Sequence, residues 1–193
     1  MKIVVGISGA TGAIYGIRIL EVLKELGVET HLILSQWAEK TISLETSYKP
    51  AEVKELATFH YSSHNQAALI SSGSFITDGM IIAPCSMKSL ASISYGLADN
   101  LLSRTADVTI KEKRKLVIVP REAPLSEIHL ENMLRLSRTG AVILPPMPAF
   151  YNNPTTVDQI INHTVARVLD QFNIPNKLTS RWLQPEKELK SHI

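Results

Sequence analysis

Short apolar runs alternate along this chain with segments whose apolar residues recur every three or four positions. A buried parallel strand reads as a brief continuous apolar run, and an amphipathic helix as a 3.6-residue period. The pattern predicts strands at Ile3–Ile7, His31–Leu34, Met80–Pro84, Leu116–Val119 and Ala141–Leu144, with a short one near 58–61. Helices are expected after the first strand, over Trp37–Leu44, near 64–71, across 87–112 with a break near Gly96, and over Glu127–Ser137. A last long helix carries Val157, Ile160, Ile161, Thr164, Val165, Val168, Leu169 and Phe172 at helical spacing. Such alternation predicts an α/β class, a doubly wound parallel sheet with helices on both faces. One domain over 1–182 is expected, followed by a polar, aperiodic tail at 183–193.

Composition narrows this picture only slightly. With 193 residues, 45% of them hydrophobic and 20% charged, the chain can bury a substantial core. A net charge of +2, with acids interleaved among the bases, argues against a nucleic-acid partner. No run of 18 apolar residues suggests a membrane span. The strand pattern starts at the N-terminus, so no signal peptide is expected, and the single cysteine, Cys85, fits a reducing cytoplasm.

Two turns after strands carry candidate binding chemistry. The first is Gly6-Ile7-Ser8-Gly9-Ala10-Thr11-Gly12. Glycines let backbone N–H groups approach a phosphate, and a helix N-terminus favours its charge. It lacks the Gly-Lys-Ser/Thr ending of a P-loop and the Gly-x-Gly-x-x-Gly spacing of a dinucleotide fold. No acid follows the second strand to hold an adenosine ribose. A phosphate-bearing mononucleotide therefore fits better than NAD, and a plain strand-to-helix turn remains open. The second turn is Pro84-Cys85-Ser86-Met87-Lys88-Ser89, whose serines could cap a helix or donate to a ligand. Cys85 reads as a small core residue rather than a nucleophile. His129 and Glu131 point to different helix faces and no Cys-x-x-Cys exists, so no metal is expected.

Lys115 to Pro124 holds the sharpest signal. An apolar strand stops at Pro120, and Arg121 and Glu122 follow at once, before Pro124. Ligands of open α/β sheets bind beyond the carboxyl ends of strands, so a cation and a carboxylate stand where a ligand is expected. A solvated ion pair in a surface turn is the plainer alternative. Arg104 and Lys111, seven apart, share one face of a predicted helix. Arg167 lies at the margin of the last apolar stripe, Tyr151 just past the strand at 141–144, and Glu45 after the helix at 37–44.

At Pro120-Arg-Glu-Ala-Pro-Leu-Ser-Glu-Ile-His-Leu-Glu-Asn-Met133 the chain resembles the UbiX/Pad-type flavin prenyltransferases. The likeness runs from residue 3 to about 182. It includes Gly9-Ala10-Thr11-Gly12-Ala13, Pro84-Cys85-Ser86, Gly96 to Leu101, Arg104 to Val108, and Arg181-Trp182. The resemblance implies a flavodoxin-like, Rossmann-like fold and homododecamers with sites between subunits. It implies transfer of a dimethylallyl group from dimethylallyl phosphate to N5 and C6 of reduced FMN. The prenylated flavin then serves a UbiD-type decarboxylase. By position, FMN would be held by Gly9, Ala10, Thr11, Ser35, Ser86, Met87, Lys88, Ser89 and Arg121. Tyr151 and Arg167 would bind the allyl phosphate, helped by Lys111, Arg104 and Arg121. Glu122 would assist proton transfer and Glu45 would shape the pocket. Thr11 stands where many members have serine; it keeps the hydroxyl and adds a methyl.

This assignment suits the chemistry. Breaking an allylic C–O bond leaves charge on the departing phosphate, which fixed Arg and Lys groups stabilise. An apolar pocket keeps the allyl cation from water, a carboxylate can relay the proton lost from C6, and no metal is needed. Two alternatives share parts of the pattern. FMN-dependent cysteine decarboxylases have a similar glycine loop and 96–101 segment, but no Asn follows Met147 as their Pro-x-Met-Asn segment would require. A non-catalytic FMN-binding decarboxylase subunit would use the same binding residues.

Overall fold

The computed structural model describes residues 1–182; the tail expected at 183–193 lies outside them. The chain divides into two compact units, Met1–Pro146 and a second that begins at Met147.

In the first unit, β1 (Lys2–Ile7), β2 (Glu29–Leu34), β3 (Phe59–Ser62), β4 (Gly79–Cys85), β5 (Lys115–Pro120) and β6 (Val142–Ile143) form one sheet, ordered β3-β2-β1-β4-β5-β6. Every pairing is parallel, as the apolar runs predict. Ile3, Val5, Met80, Ile82, Val117 and Ile118 are fully buried, so both faces of the central strands are covered. The chain leaves β1 toward β2 on one side and returns through β4 on the other. That reversal opens a crevice above the carboxyl ends of β1 and β4.

The helices are α1 (Ala13–Glu25), α2 (Gln36–Glu45), α3 (Pro50–Leu56), α4 (Met87–Ser94), α5 (Leu101–Lys111) and α6 (Glu127–Arg138). The break expected near Gly96 is present: Gly96 takes φ +68°, and Asn100 caps α5 by accepting from the Ser103 N–H at 3.1 Å. Leu90, Leu101, Leu102 and Leu136 pack with Val4, Met80, Ile82, Leu116 and Ile118 in one core.

Two expectations need correction, and one helix goes unpredicted. The helix expected near 64–71 is a single 3₁₀ turn, Leu69–Ser71. There the side chains of Ser62, Asn65 and Ser72 accept from the N–H groups of His64, Ala67 and Ser74, and so compete with helical bonding. Helix α3 shows no apolar period, because it buries only Val53. It starts at Pro50, and the Glu52 carboxylate accepts from the Lys49 N–H at 2.7 Å. The strand at 141–144 shrinks to Val142–Ile143: Leu144 N–H still reaches the Ile118 carbonyl at 2.8 Å, but Pro145 and Pro146 have no N–H to give.

The second unit is built on α7 (Val157–Asp170). Thr156 caps it, accepting from the Gln159 N–H at 3.3 Å, while Gln159 Oε1 accepts from Thr155 N–H at 2.6 Å. Ile161, Val165, Val168 and Leu169 are buried as the stripe predicts, whereas Val157, at its start, is 72% exposed. No helix among the described residues is long and apolar enough to cross a membrane.

Candidate functional site

A cleft of about 390 Å³ lies beyond the carboxyl ends of β1 to β4. Gly9 comes from the loop after β1, and Ser35, Gln36 and Trp37 from the end of β2. Ser63 and His64 follow β3. Ser86, Lys88, Ser89 and Ser92 follow β4, and Asp99, Asn100 and Leu102 come from the start of α5.

Buried Ser8 holds this end of the sheet together. Its hydroxyl donates to the Pro84 carbonyl at 3.0 Å and accepts from the Ser86 N–H at 2.7 Å, and its own N–H donates to the same carbonyl at 3.1 Å. The β1 and β4 loops are thereby joined across the crevice. Cys85, between them, is fully buried, and desolvation pushes its thiol up to about 12, so it carries no thiolate chemistry.

Two helix N-termini open on the cleft. Ser35 caps α2, accepting from the Ala38 N–H at 3.1 Å, and Ser86 caps α4, accepting from the Ser89 N–H at 3.3 Å. The Ser86 hydroxyl donates to the Ser89 hydroxyl at 3.1 Å. First-turn N–H groups, hydroxyls and the exposed Lys88 ammonium together make an anion site. The glycine loop behaves differently from a phosphate cradle at its far end. Gly12 takes φ +92° to enter α1, and its N–H and that of Ala13 donate to the Glu45 carboxylate at 2.7 and 3.4 Å. An anion of the chain itself thus occupies the α1 N-terminus.

Of the residues assigned by position, Gly9, Ser35, Ser86, Lys88 and Ser89 line the cleft. Buried Ala10 and half-buried Thr11 lie in the loop beside Gly9, outside the lining, and the Met87 side chain packs against the core. Arg121 and Glu122 are exposed beyond β5. The Arg121 N–H donates to the Cys85 carbonyl at 3.1 Å, which ties its loop to the β4 loop. Glu122 Oε1 accepts from the Ala123 N–H at 3.1 Å, and no ion pair joins Arg121 to Glu122 among the described residues.

Lys111 and Arg104 are placed elsewhere. Helix α5 starts at the cleft, and Lys111 is about 15 Å further along its axis, close to where β5 begins. Lys111 pairs with Glu112, and Arg104 pairs with Asp107 at 2.9 Å and donates to the Ser71 carbonyl at 3.2 Å. A single chain does not bring either cation to the cleft lining.

In the second unit Tyr151 and Arg167 meet around His163. The Tyr151 ring stands edge-on to His163, with centroids 5.6 Å apart, and to Trp182, 5.2 Å apart. Arg167, one turn beyond His163, reaches Asp170 at 2.8 Å, and Asp170 also pairs with Arg181. Burial first, then the Arg167 and Arg181 cations, hold His163 below the ordinary imidazole range. A hydrogen bond from Arg181 holds the Asp170 carboxyl below the usual range.

Three residues escape a reading of the sequence, Ser8 and Trp37 at the cleft and His163 in the second unit. Ser8 has a signal, a hydroxyl at the end of a strand inside a glycine loop. Trp37 has a weaker one, its place two residues after Ser35. His163 had none, because it lies off the apolar stripe of α7, where a histidine reads as a solvated side chain, yet it is buried.

The likeness to known proteins extends over nearly the whole chain. Residues 1–169 match the family model described as flavoprotein. Over 188 residues the chain is 60% identical to a probable UbiX-like flavin prenyltransferase of Bacillus subtilis (strain 168), with 97% of this chain and 92% of that one covered. A dodecameric FMN-dependent UbiX-like decarboxylase from Escherichia coli O157:H7 superposes with a TM-score of 0.94 at 59% identity, covering 95% of this chain and 100% of that one. AnUbiX (PadA1), solved with FMN and dimethylallyl pyrophosphate, also gives 0.94, at 52% identity, covering 96% and 98%. The FMN-dependent cysteine decarboxylase SpaF, at 18% identity and a TM-score of 0.61, shares the fold alone.

Proposed function

This chain belongs to the UbiX-like flavin prenyltransferases, and we propose from that premise how its own residues divide the work of prenyl transfer. Reduced FMN is the acceptor: the allylic C–O bond of dimethylallyl phosphate breaks and the phosphate leaves. The allyl C1 bonds to N5, which gives up its proton, and the remaining C=C takes up a proton at C2 so that its tertiary carbon bonds to C6 with loss of the C6 proton. The observation that carries the reading is the convergence of two helix N-termini, capped by Ser35 and Ser86, with Lys88 on one cleft. That donor set suits a dianionic phosphate monoester on a ribityl chain, which is what FMN presents.

The FMN phosphate sits on the α2 and α4 N-termini and Lys88. Gly9, Ala10 and Thr11 lie against the rest of the flavin, Ser89 and the backbone of Met87 complete the β4 side, and Arg121 supplies a cation at the far end. Glu45 acts through the loop: by capping α1 it fixes Gly12 and hence Thr11. Glu122, next in sequence to Arg121 but not paired with it, receives or relays the proton lost from C6. Tyr151 and Arg167 bind the departing phosphate, and Arg121, Arg104 and Lys111 neutralise it.

The placement of Lys111 and Arg104 away from the cleft fits a site that neighbouring copies complete, in a homododecamer. The two units, Met1–Pro146 and that from Met147, act as one flavoprotein domain over 1–182. The enzyme works in the cytoplasm, needs no metal, and hands prenylated FMN to a UbiD-type decarboxylase.

The test is direct. Anaerobic incubation with reduced FMN and dimethylallyl phosphate should yield a flavin whose mass has grown by one dimethylallyl unit. Unchanged flavin under strict anaerobiosis, with the protein folded and FMN-bound, would refute the reading.

A further inference from the structure

The cleft has a hydrophilic wall and one large apolar side chain. Ser35, Ser86, Ser89, Ser92 and Lys88 suit a ribityl phosphate, but an isoalloxazine ring is a broad, flat, largely apolar surface. Leu102 also touches the cleft but is 2% exposed, so it presents almost nothing. Trp37 is 69% exposed.

Its position is tightly held although its ring is open. Ser35 caps the helix at whose start Trp37 stands. A Cβ built on Gly9 would lie 2.2 Å from the Trp37 Cβ, so the glycine loop and Trp37 touch, and only glycine admits the contact. The indole has no ring partner, and its N–H no acceptor, among the described residues. An exposed indole fixed at the mouth of a polar cleft marks a ligand surface.

We propose that Trp37 is the aromatic wall of the flavin site, its indole in direct contact with the isoalloxazine ring of FMN. This rests on the FMN-binding reading above and adds a specific residue to it. Gly9 then has a second reason to be glycine: it seats the tryptophan that holds the ring.

The test compares Trp37→Leu and Trp37→Phe with the parent full-length chain, by titrating FMN and following the flavin's own emission. An indole in contact quenches an excited flavin by electron transfer, a short-range effect. Bound FMN should therefore be dark in the parent and brighter in both variants. Loss of the stacking surface should weaken binding roughly tenfold in Trp37→Leu and less in Trp37→Phe. Unchanged affinity and equally dark bound flavin in both variants would overturn the proposal. So would a change in sedimenting mass with flavin emission unaltered, since the indole would then be covered by another copy of the chain. Should Trp37→Leu fail to fold, the emission of FMN bound to Trp37→Phe decides alone. If the parent itself binds no FMN, it is the broader reading that fails, a result distinct from either.

Discussion

The Glu45 carboxylate accepts from the Gly12 N–H at 2.7 Å, so the last residue of α2 caps the first helix of the chain. A glycine-rich loop of this kind invites a phosphate reading, yet its helix N-terminus is already satisfied from within. Glu45→Ala leaves two N–H groups and the positive end of α1 without a partner. Because Glu45 is exposed, the expected loss of stability is modest, about 0.5–1 kcal/mol, with Glu45→Gln losing less. Denaturant unfolding measures it. If Glu45 only caps, FMN affinity should fall little in Glu45→Gln; a large loss with unchanged stability would place the carboxylate against the ligand.

Ser8 offers a sharper test of how the cleft is held. Ser8→Ala removes the acceptor of the part-buried Ser86 N–H and one of the two donors to the buried Pro84 carbonyl, which keeps the Ser8 N–H. The cost should be about 1 kcal/mol, since the Pro84 carbonyl keeps one donor and the Ser86 N–H is only part-buried. Since Ser86 caps α4 at the cleft, FMN affinity should fall in parallel. A variant of parental stability and parental affinity would refute the idea that Ser8 ties the two loops.

Much of this architecture was legible in the chain because burial leaves a periodic trace. Strands β1, β4 and β5 are covered on both faces and read as apolar runs; α7 reads as a stripe because Ile161, Val165, Val168 and Leu169 turn inward together. Helix α3 was invisible because only Val53 is buried, and residues 64–71 misled because side-chain bonds to nearby N–H groups replace the helix that their composition suggests. At the site, capping serines after strands were legible. Trp37 and His163 were not, since an exposed indole and a histidine off the apolar stripe of α7 both have commonplace explanations.

The second unit should carry its own acid response. His163 lies below its ordinary value of 6.5, chiefly through burial. Unfolded, it takes up a proton as the pH falls through that value while the folded form stays neutral, so stability declines from there downward. Asp170 adds a loss at lower pH: Arg181 depresses its carboxyl below 3.8, and its contribution is present above that value and disappears as the pH falls through the folded one. His163→Phe should flatten the upper part of the profile and leave the lower part, while Asp170→Asn should do the reverse. Stability measured from pH 7 to pH 3 separates them. Identical profiles in all three proteins would show that neither group is shielded as described.

The placement of Lys111 leads to the most demanding prediction. Within one chain it lies about 15 Å along α5 from the helix start that borders the cleft, paired with Glu112. Arg121, by contrast, is joined by its N–H to Cys85, immediately before the cleft residue Ser86. If both cations serve one departing phosphate, they must come from different copies. Lys111→Ala and Arg121→Ala should then each be inactive alone, because each lacks one cation in every site. Unfolded together and reassembled, the mixture should regain activity, since some sites draw an intact Lys111 from one chain and an intact Arg121 from another. A double variant carrying both changes, mixed with the parent, controls for dilution. Activity that stays absent in the mixture, although mixed assemblies form by mass, would place both residues in the same subunit's site or remove Lys111 from the chemistry.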